Sequence, residues 1–130
     1  MKTIFTIKLE EQIIGTTEFE FADVPMGVVF GKINFINIES PYILFKNYCL
    51  TNNIQINDDF EDSRMIDTVV IPNLKIYYND FKDELNGWGA AITGSELLDN
   101  KIEFEISFSG IISETMSTLF KHHFDEYFKE

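Results

Sequence analysis

His122 and His123 are the first residues whose chemistry suggests a function, because imidazole serves both as metal ligand and as acid-base group near neutral pH. Neighbouring positions of a helix project about 100 degrees apart, so the two rings do not converge on one ion as residues three or four apart would. The pair also lacks the two-histidine spacing of HExxH. His123 falls beside an aromatic stripe and His122 near Asp125 and Glu126, so packing and solvation outweigh ligation.

The run Asp58, Asp59, Glu61 and Asp62 raises calcium. An EF-hand loop started at Asn57 would place Asn57, Asp59 and Glu61 correctly, but Asp62 stands where glycine is required and Thr68 where glutamate is required. The run reads as a solvated acidic loop that can face a cationic partner. Cys49, between Tyr48 and Leu50 on the apolar side of an expected helix, reads as a core thiol rather than a nucleophile. The stretch TGSEL lacks the second glycine of a serine-hydrolase elbow. Carboxylate pairs for glycoside chemistry are too numerous to single one out. Gly27 and Gly31 have no lysine and serine or threonine after them to make a phosphate loop. A non-enzymatic chain with no cofactor or metal is expected; a hydrolase using His122 with an acidic neighbour is the weaker option.

A second cluster gathers Asp80, Asp83 and Glu84 in the stretch NDFKDELNG, flanked by Tyr77, Tyr78 and Trp88. Carboxylates beside aromatic rings bind lysine and arginine by ion pairing and cation-π contact. The alternative puts Trp88 and one tyrosine in the core, with the carboxylates in water.

The charge balance favours the binding reading. Twenty-two acidic residues face ten basic ones, a net charge of -12 over 130 residues. Such a field repels phosphate backbones and anionic lipid and attracts cationic surfaces, which argues against direct nucleic-acid or membrane binding. The single cysteine excludes an internal disulfide and a multi-cysteine zinc site, so a reduced cytoplasm is the default compartment. Charges at Lys8, Glu10 and Glu11 come too early for a secretory signal, and no run approaches the roughly 20 apolar residues of a membrane span.

The elements that must hold these residues follow from periodicity. TIFTIKLE alternates as a strand, and Gln12 to Phe21 reads as its neighbour, with Phe19 and Phe21 on one face and Glu18 and Glu20 on the other. After the break at Asp23 to Gly27, Val28 to Ile33 suggests another extended segment. Ser40-Pro41 marks a helix start and Asn52-Asn53 its end. Residues 54 to 67 open as a short strand that becomes the acidic loop. Pro72-Asn73 separates two further strands, GAAITG is another, and KIEFEISFSGI alternates with Phe104, Ile106 and Phe108 inward. The segment from Ser113 onward reads as one amphipathic helix striped by Met116, Leu119, Phe120, His123, Phe124, Tyr127 and Phe128, capped by Ser113 or Ser117. The sum is one α+β domain over residues 1–130, a mainly antiparallel β-sheet packed against two α-helices.

The stretch EFEFADVPMGVVFGKI adds a resemblance. With Glu18, Asp23, Pro25, Met26, Gly27, Phe30, Gly31 and Lys32 in place, it resembles the N-terminal pattern of immunity proteins from bacterial contact-dependent growth inhibition systems. The similarity covers the first quarter of the chain. It implies a cytoplasmic antidote that binds the C-terminal toxin domain of a large surface-delivered protein. Such toxins are often nucleases, in one branch metal-dependent DNases that extend a hairpin into the sheet of the immunity protein, and any metal would belong to the toxin. Asp58, Asp59, Glu61 and Asp62 are then the first expected partner contacts, and Asp80, Asp83, Glu84 and Trp88 the second. The other class of reading is a small-ligand or regulatory domain whose pocket lies between the sheet and the C-terminal helix. In both, the turn at Asp23 to Gly27 is expected to be scaffold, with Gly31 allowing close packing or a bulge.

Overall fold

The computed structural model describes residues 3–96 and 101–129. Alternation builds the first hairpin as expected: β1 (Phe5–Leu9) buries Phe5, Ile7 and Leu9 and pairs antiparallel with β2 (Gln12–Thr17). The second strand does not continue to Phe21. Phe19 takes a left-handed φ of 47° and is fully buried, its N–H donating to Thr17 Oγ1 at 3.2 Å. A left-handed residue breaks the pleat, so the chain leaves for the other sheet as β3 (Phe21–Asp23), and Phe21 stays 56% exposed. The two phenylalanines expected on one face therefore separate. Burial of Phe19 against Phe5 and Phe120, with ring centroids 5.0 and 6.0 Å away, offsets the backbone strain. Gly31 lies at this crossing, where a Cβ would fall 2.5 Å from Glu20 Oε1 and 2.8 Å from Phe19 Cα.

β3 pairs with β4 (Val28–Lys32), and β5 (Asn34–Phe35) returns to β2. Ser40 caps α1 (Pro41–Thr51) by accepting the Ile43 N–H at 3.2 Å, and the helix closes at Asn52 with Asn53 left-handed at φ 55°. The acidic stretch expected as a loop begins in β6 (Ile56–Phe60), which turns into β7 (Met65–Thr68). After Pro72 come β8 (Leu74–Tyr78), the short β9 (Asp83–Glu84), β10 (Gly89–Glu96) and β11 (Ile102–Ser109).

All pairings are antiparallel. One sheet runs β5-β2-β1-β8-β9 and the other β3-β4-β11-β10-β7-β6. Their apolar faces meet in one core, with Phe5, Ile7 and Ile76 from the first and Val29, Ile92, Phe104 and Ile106 from the second. Helix α1 packs on β7 and β10 and contributes Tyr42, Phe45 and Cys49.

The C-terminal helix is two helices rather than one, α2 (Ser113–Thr118) and α3 (Lys121–Tyr127). The axis breaks at Phe120, whose φ of -111° and ψ of 39° lie outside the helical region. Its ring stacks on Phe5 at 5.4 Å in the core, and the turn after Thr118 is what lets it reach there. Neither serine caps by side chain: the residue before α2 is Ile112, and Ser117 Oγ donates to the Glu114 carbonyl at 3.0 Å. Met116 and Phe120 are buried as the stripe predicts, whereas Tyr127 and Phe128 are exposed. The fold is thus α+β, with two antiparallel sheets and, among the described residues, three helices.

Candidate functional site

Asp58 and Asp59 sit on β6, an edge strand of the larger sheet, and Glu61 and Asp62 in the turn that follows. Charged residues are usual on an edge, where they oppose uncontrolled strand pairing. Asp59 turns toward α1, where the Tyr42 hydroxyl donates to its Oδ1 and Lys46 Nζ lies 3.0 Å from its Oδ2. Lys46 also reaches Glu61 Oε1 at 2.8 Å and donates to the Tyr42 oxygen at 3.2 Å. The hydrogen bond from Tyr42, helped by Lys46, holds the Asp59 carboxyl below its ordinary range. Burial, reinforced by Asp59, pushes the Tyr42 phenol up, and hydrogen bonds to Glu61 and then Asp59 push the Lys46 ammonium up.

Alongside it, Glu96 at the end of β10 accepts from Ser40 Oγ at 2.6 Å, from the Tyr42 N–H at 2.8 Å and from Arg64 Nε at 2.9 Å. Burial alone would raise the Glu96 pKa, but these donors together bring it below the usual value. Both cations of this region are thereby engaged. Asp58 and Asp62 are exposed and make no ion pair among the described residues. The four carboxylates divide into two that tie β6 and its turn to α1 and two that face water.

The second cluster is divided too. Asp80 lies in the turn between β8 and β9, Asp83 accepts from Asn79 Nδ2 at 3.1 Å, and Glu84 pairs with Lys75 at 3.5 Å. The tyrosines serve partners within the chain: Tyr77 receives the Lys8 cation at 5.4 Å, and Tyr78 packs edge-on to Phe5 at 6.0 Å. Trp88 is not core; it is 81% exposed and lines a 230 Å³ cleft with Lys75 and Glu84. The acidic β6–β7 turn is remote from it, because Trp88 precedes β10 and Glu96 ends it, eight residues or about 26 Å of extended chain away.

The second reading expected a pocket between the sheet and the C-terminal helix; the structure has a groove against the C-terminal helices, with a turn and Trp88 as its other walls. The groove, of about 550 Å³, runs between the turn Val24 to Gly27, Trp88 and the two C-terminal helices. Most of its lining side chains are apolar, with Ser113 and backbone groups supplying the polar share, and Met26 (68% exposed), Ile112, Tyr127 and Phe128 stand open to solvent. The turn is held by Asp23 Oδ1, which accepts the Met26 N–H at 3.3 Å, and by the Ile111 N–H donating to the Gly27 carbonyl at 2.9 Å. Gly27 meets a double requirement, since φ is 67° and a Cβ would fall 2.5 Å from the Ile111 oxygen. The break at Asp23 to Gly27 is therefore both scaffold and groove wall. The available signal was the end of the C-terminal stripe, where Tyr127 and Phe128 outlast the core that Met116 and Phe120 fill.

The catalytic candidates have structural environments. The His123 Nε2 lies 2.7 Å from the Phe19 carbonyl oxygen, and its ring is 3.9 Å from that of His122, whose pKa burial and this neighbour lower. Cys49 is fully buried, and burial pushes its thiol up. Among the described residues no group of three or more His, Cys, Asp or Glu side chains is placed to hold a metal ion, and no helix is long and apolar enough to cross a membrane. No protein-family model, curated protein or solved structure matches the chain.

Proposed function

We propose that the chain is a non-enzymatic immunity protein of a contact-dependent growth inhibition system, which binds and neutralises a cognate basic toxin domain in the cytoplasm of the cell that makes both. The observation that carries this reading is the pair Asp58 and Asp62, exposed and without an ion pair among the described residues, on an edge ribbon where the nearby Lys46 of α1 and Arg64 are already engaged by Asp59, Glu61 and Glu96. A ribbon so arranged keeps its negative field for a partner. A nuclease must be basic to hold its substrate, so it is the toxin class this field fits, and the net charge of -12 would steer the encounter at long range.

The edge position of β6 supports a definite mode of contact. A toxin hairpin added beside it would gain main-chain hydrogen bonds while Asp58 and Asp62 pair with its lysines and arginines. The test takes the C-terminal domain of the large secreted protein expected in the adjacent reading frame and measures its association with this protein as salt is raised. A tight complex whose association rate falls steeply with salt supports the reading. No complex, or one insensitive to salt, removes it.

A further inference from the structure

A soluble surface seldom gathers large apolar side chains without a use, and here Met26, Trp88, Ile112, Tyr127 and Phe128 border one groove while remaining exposed. Trp, Tyr, Phe and Met are the side chains that dominate the centres of protein interfaces. The charges around this groove select among occupants. Lys121 is held by Asp125 at 2.5 Å, and Lys129 lies 3.8 Å from Glu126. Asp23 and Glu114, next to the groove walls, make no ion pair among the described residues, so the uncompensated charge at the rim is negative. A second copy would bring another -12 against the first. A cationic segment meets the opposite condition.

We infer that the groove receives an apolar anchor side chain carried on a lysine- or arginine-flanked segment of the protein partner, a contact separate from the acidic ribbon at the far end of β10. The inference rests on the proposed basic partner and adds a second, apolar foothold to it. Electrostatic contact at Asp58 and Asp62 sets the encounter rate, and the anchored side chain sets the lifetime of the complex.

Trp88 is the only tryptophan, so its emission reports the groove directly. The intact protein is titrated with three synthetic peptides of one length: alternating leucine and lysine, lysine alone, and alternating leucine and glutamate. The leucine-lysine peptide is expected to shift the emission to the blue in a saturable manner. Oligolysine is expected to bind, by anisotropy of a labelled peptide, without moving the emission, and the leucine-glutamate peptide not to bind. Met26→Ser and Ile112→Ser, which add no charge, should each weaken the leucine-lysine complex about tenfold and leave oligolysine affinity unchanged. Both replace exposed side chains, and serine at 112 suits the N-terminal cap of α2, so folding should be preserved.

Equal affinity for the leucine-lysine peptide and oligolysine, or no effect of either variant, overturns the inference while retained oligolysine binding leaves the acidic ribbon in place. Failure of oligolysine to bind counts against the proposed basic partner instead. An emission shift that follows protein concentration, with a dimer in sedimentation, assigns the groove to a second copy. A shift produced by 1-anilinonaphthalene-8-sulfonate but not by the leucine-lysine peptide assigns it to a small ligand, and either result overturns the inference.

Discussion

The indole of Trp88 rests on Gly110, so closely that a Cβ on the glycine would fall 2.4 Å from the ring. Gly110 also has φ at 76°, where side chains other than glycine are strained. Gly110→Ala should therefore lower the unfolding free energy by about 1 to 3 kcal/mol and displace the indole. Urea unfolding followed by circular dichroism, with the emission maximum of the folded state, checks both effects. A variant as stable as the parent with unchanged emission would show that the contact constrains nothing.

Tyr42 is buried, and its hydroxyl is committed to Asp59. Tyr42→Phe leaves a half-buried carboxylate without its main donor and should cost about 1 to 2 kcal/mol. Tyr48→Phe removes only an exposed acceptor of Asn73 at 3.1 Å and should stay within about 0.5 kcal/mol of the parent. Equal losses in the two variants would mean that the Asp59 bond is not special.

Acid should weaken the fold through the same region. Asp59 and Glu96 both have pKa values lowered by folding, so the folded state binds fewer protons than the unfolded chain. Their stabilisation is complete above the unfolded carboxylate range, near pH 4, and is lost as pH falls through the lower folded values. The double variant Asp59→Asn with Glu96→Gln is expected to be less stable at neutrality and to show a flatter decline into acid. Urea midpoints measured from neutrality down through that range test this, and an unchanged slope would contradict it.

Charge reversal should separate the two kinds of acidic residue. Asp58→Lys with Asp62→Lys touches no ion pair among the described residues, so stability should hold within about 1 kcal/mol while association with the proposed toxin slows and loses salt dependence. Asp59→Lys places a cation against Lys46 and should destabilise the fold itself. Thermal unfolding and stopped-flow association distinguish them. A double reversal that leaves association and its salt dependence unchanged would move the contact elsewhere.

Strand and helix signals near in sequence were legible where one local rule governed them. Ser40-Pro41 starts α1 and Asn52-Asn53 ends it, and the alternation around Phe104, Ile106 and Phe108 sets the inward face of β11. The reading failed where a distant contact overrode the local pattern. Phe19 leaves its alternation, and Phe120 breaks its helix, because each is drawn to Phe5. Acidic residues were found by composition, but which of them is spent internally depends on Lys46 and Arg64 arriving from α1 and the turn before β7. The walls of the groove are not legible for a related reason: Val24 to Gly27, Trp88 and the C-terminal helices are far apart in sequence, and sequence alone favours a core position for Trp88.

Neutralisation of a toxin, the activity proposed, is read from growth itself. Cells induced to express the C-terminal domain of the large secreted protein expected in the adjacent reading frame are compared with and without this protein, and with Asp58→Lys and Asp62→Lys together. Arrest is expected with the domain alone, full growth when the parent protein is present, and weakened protection by the double variant. Arrest that persists in the presence of the folded parent protein would contradict it.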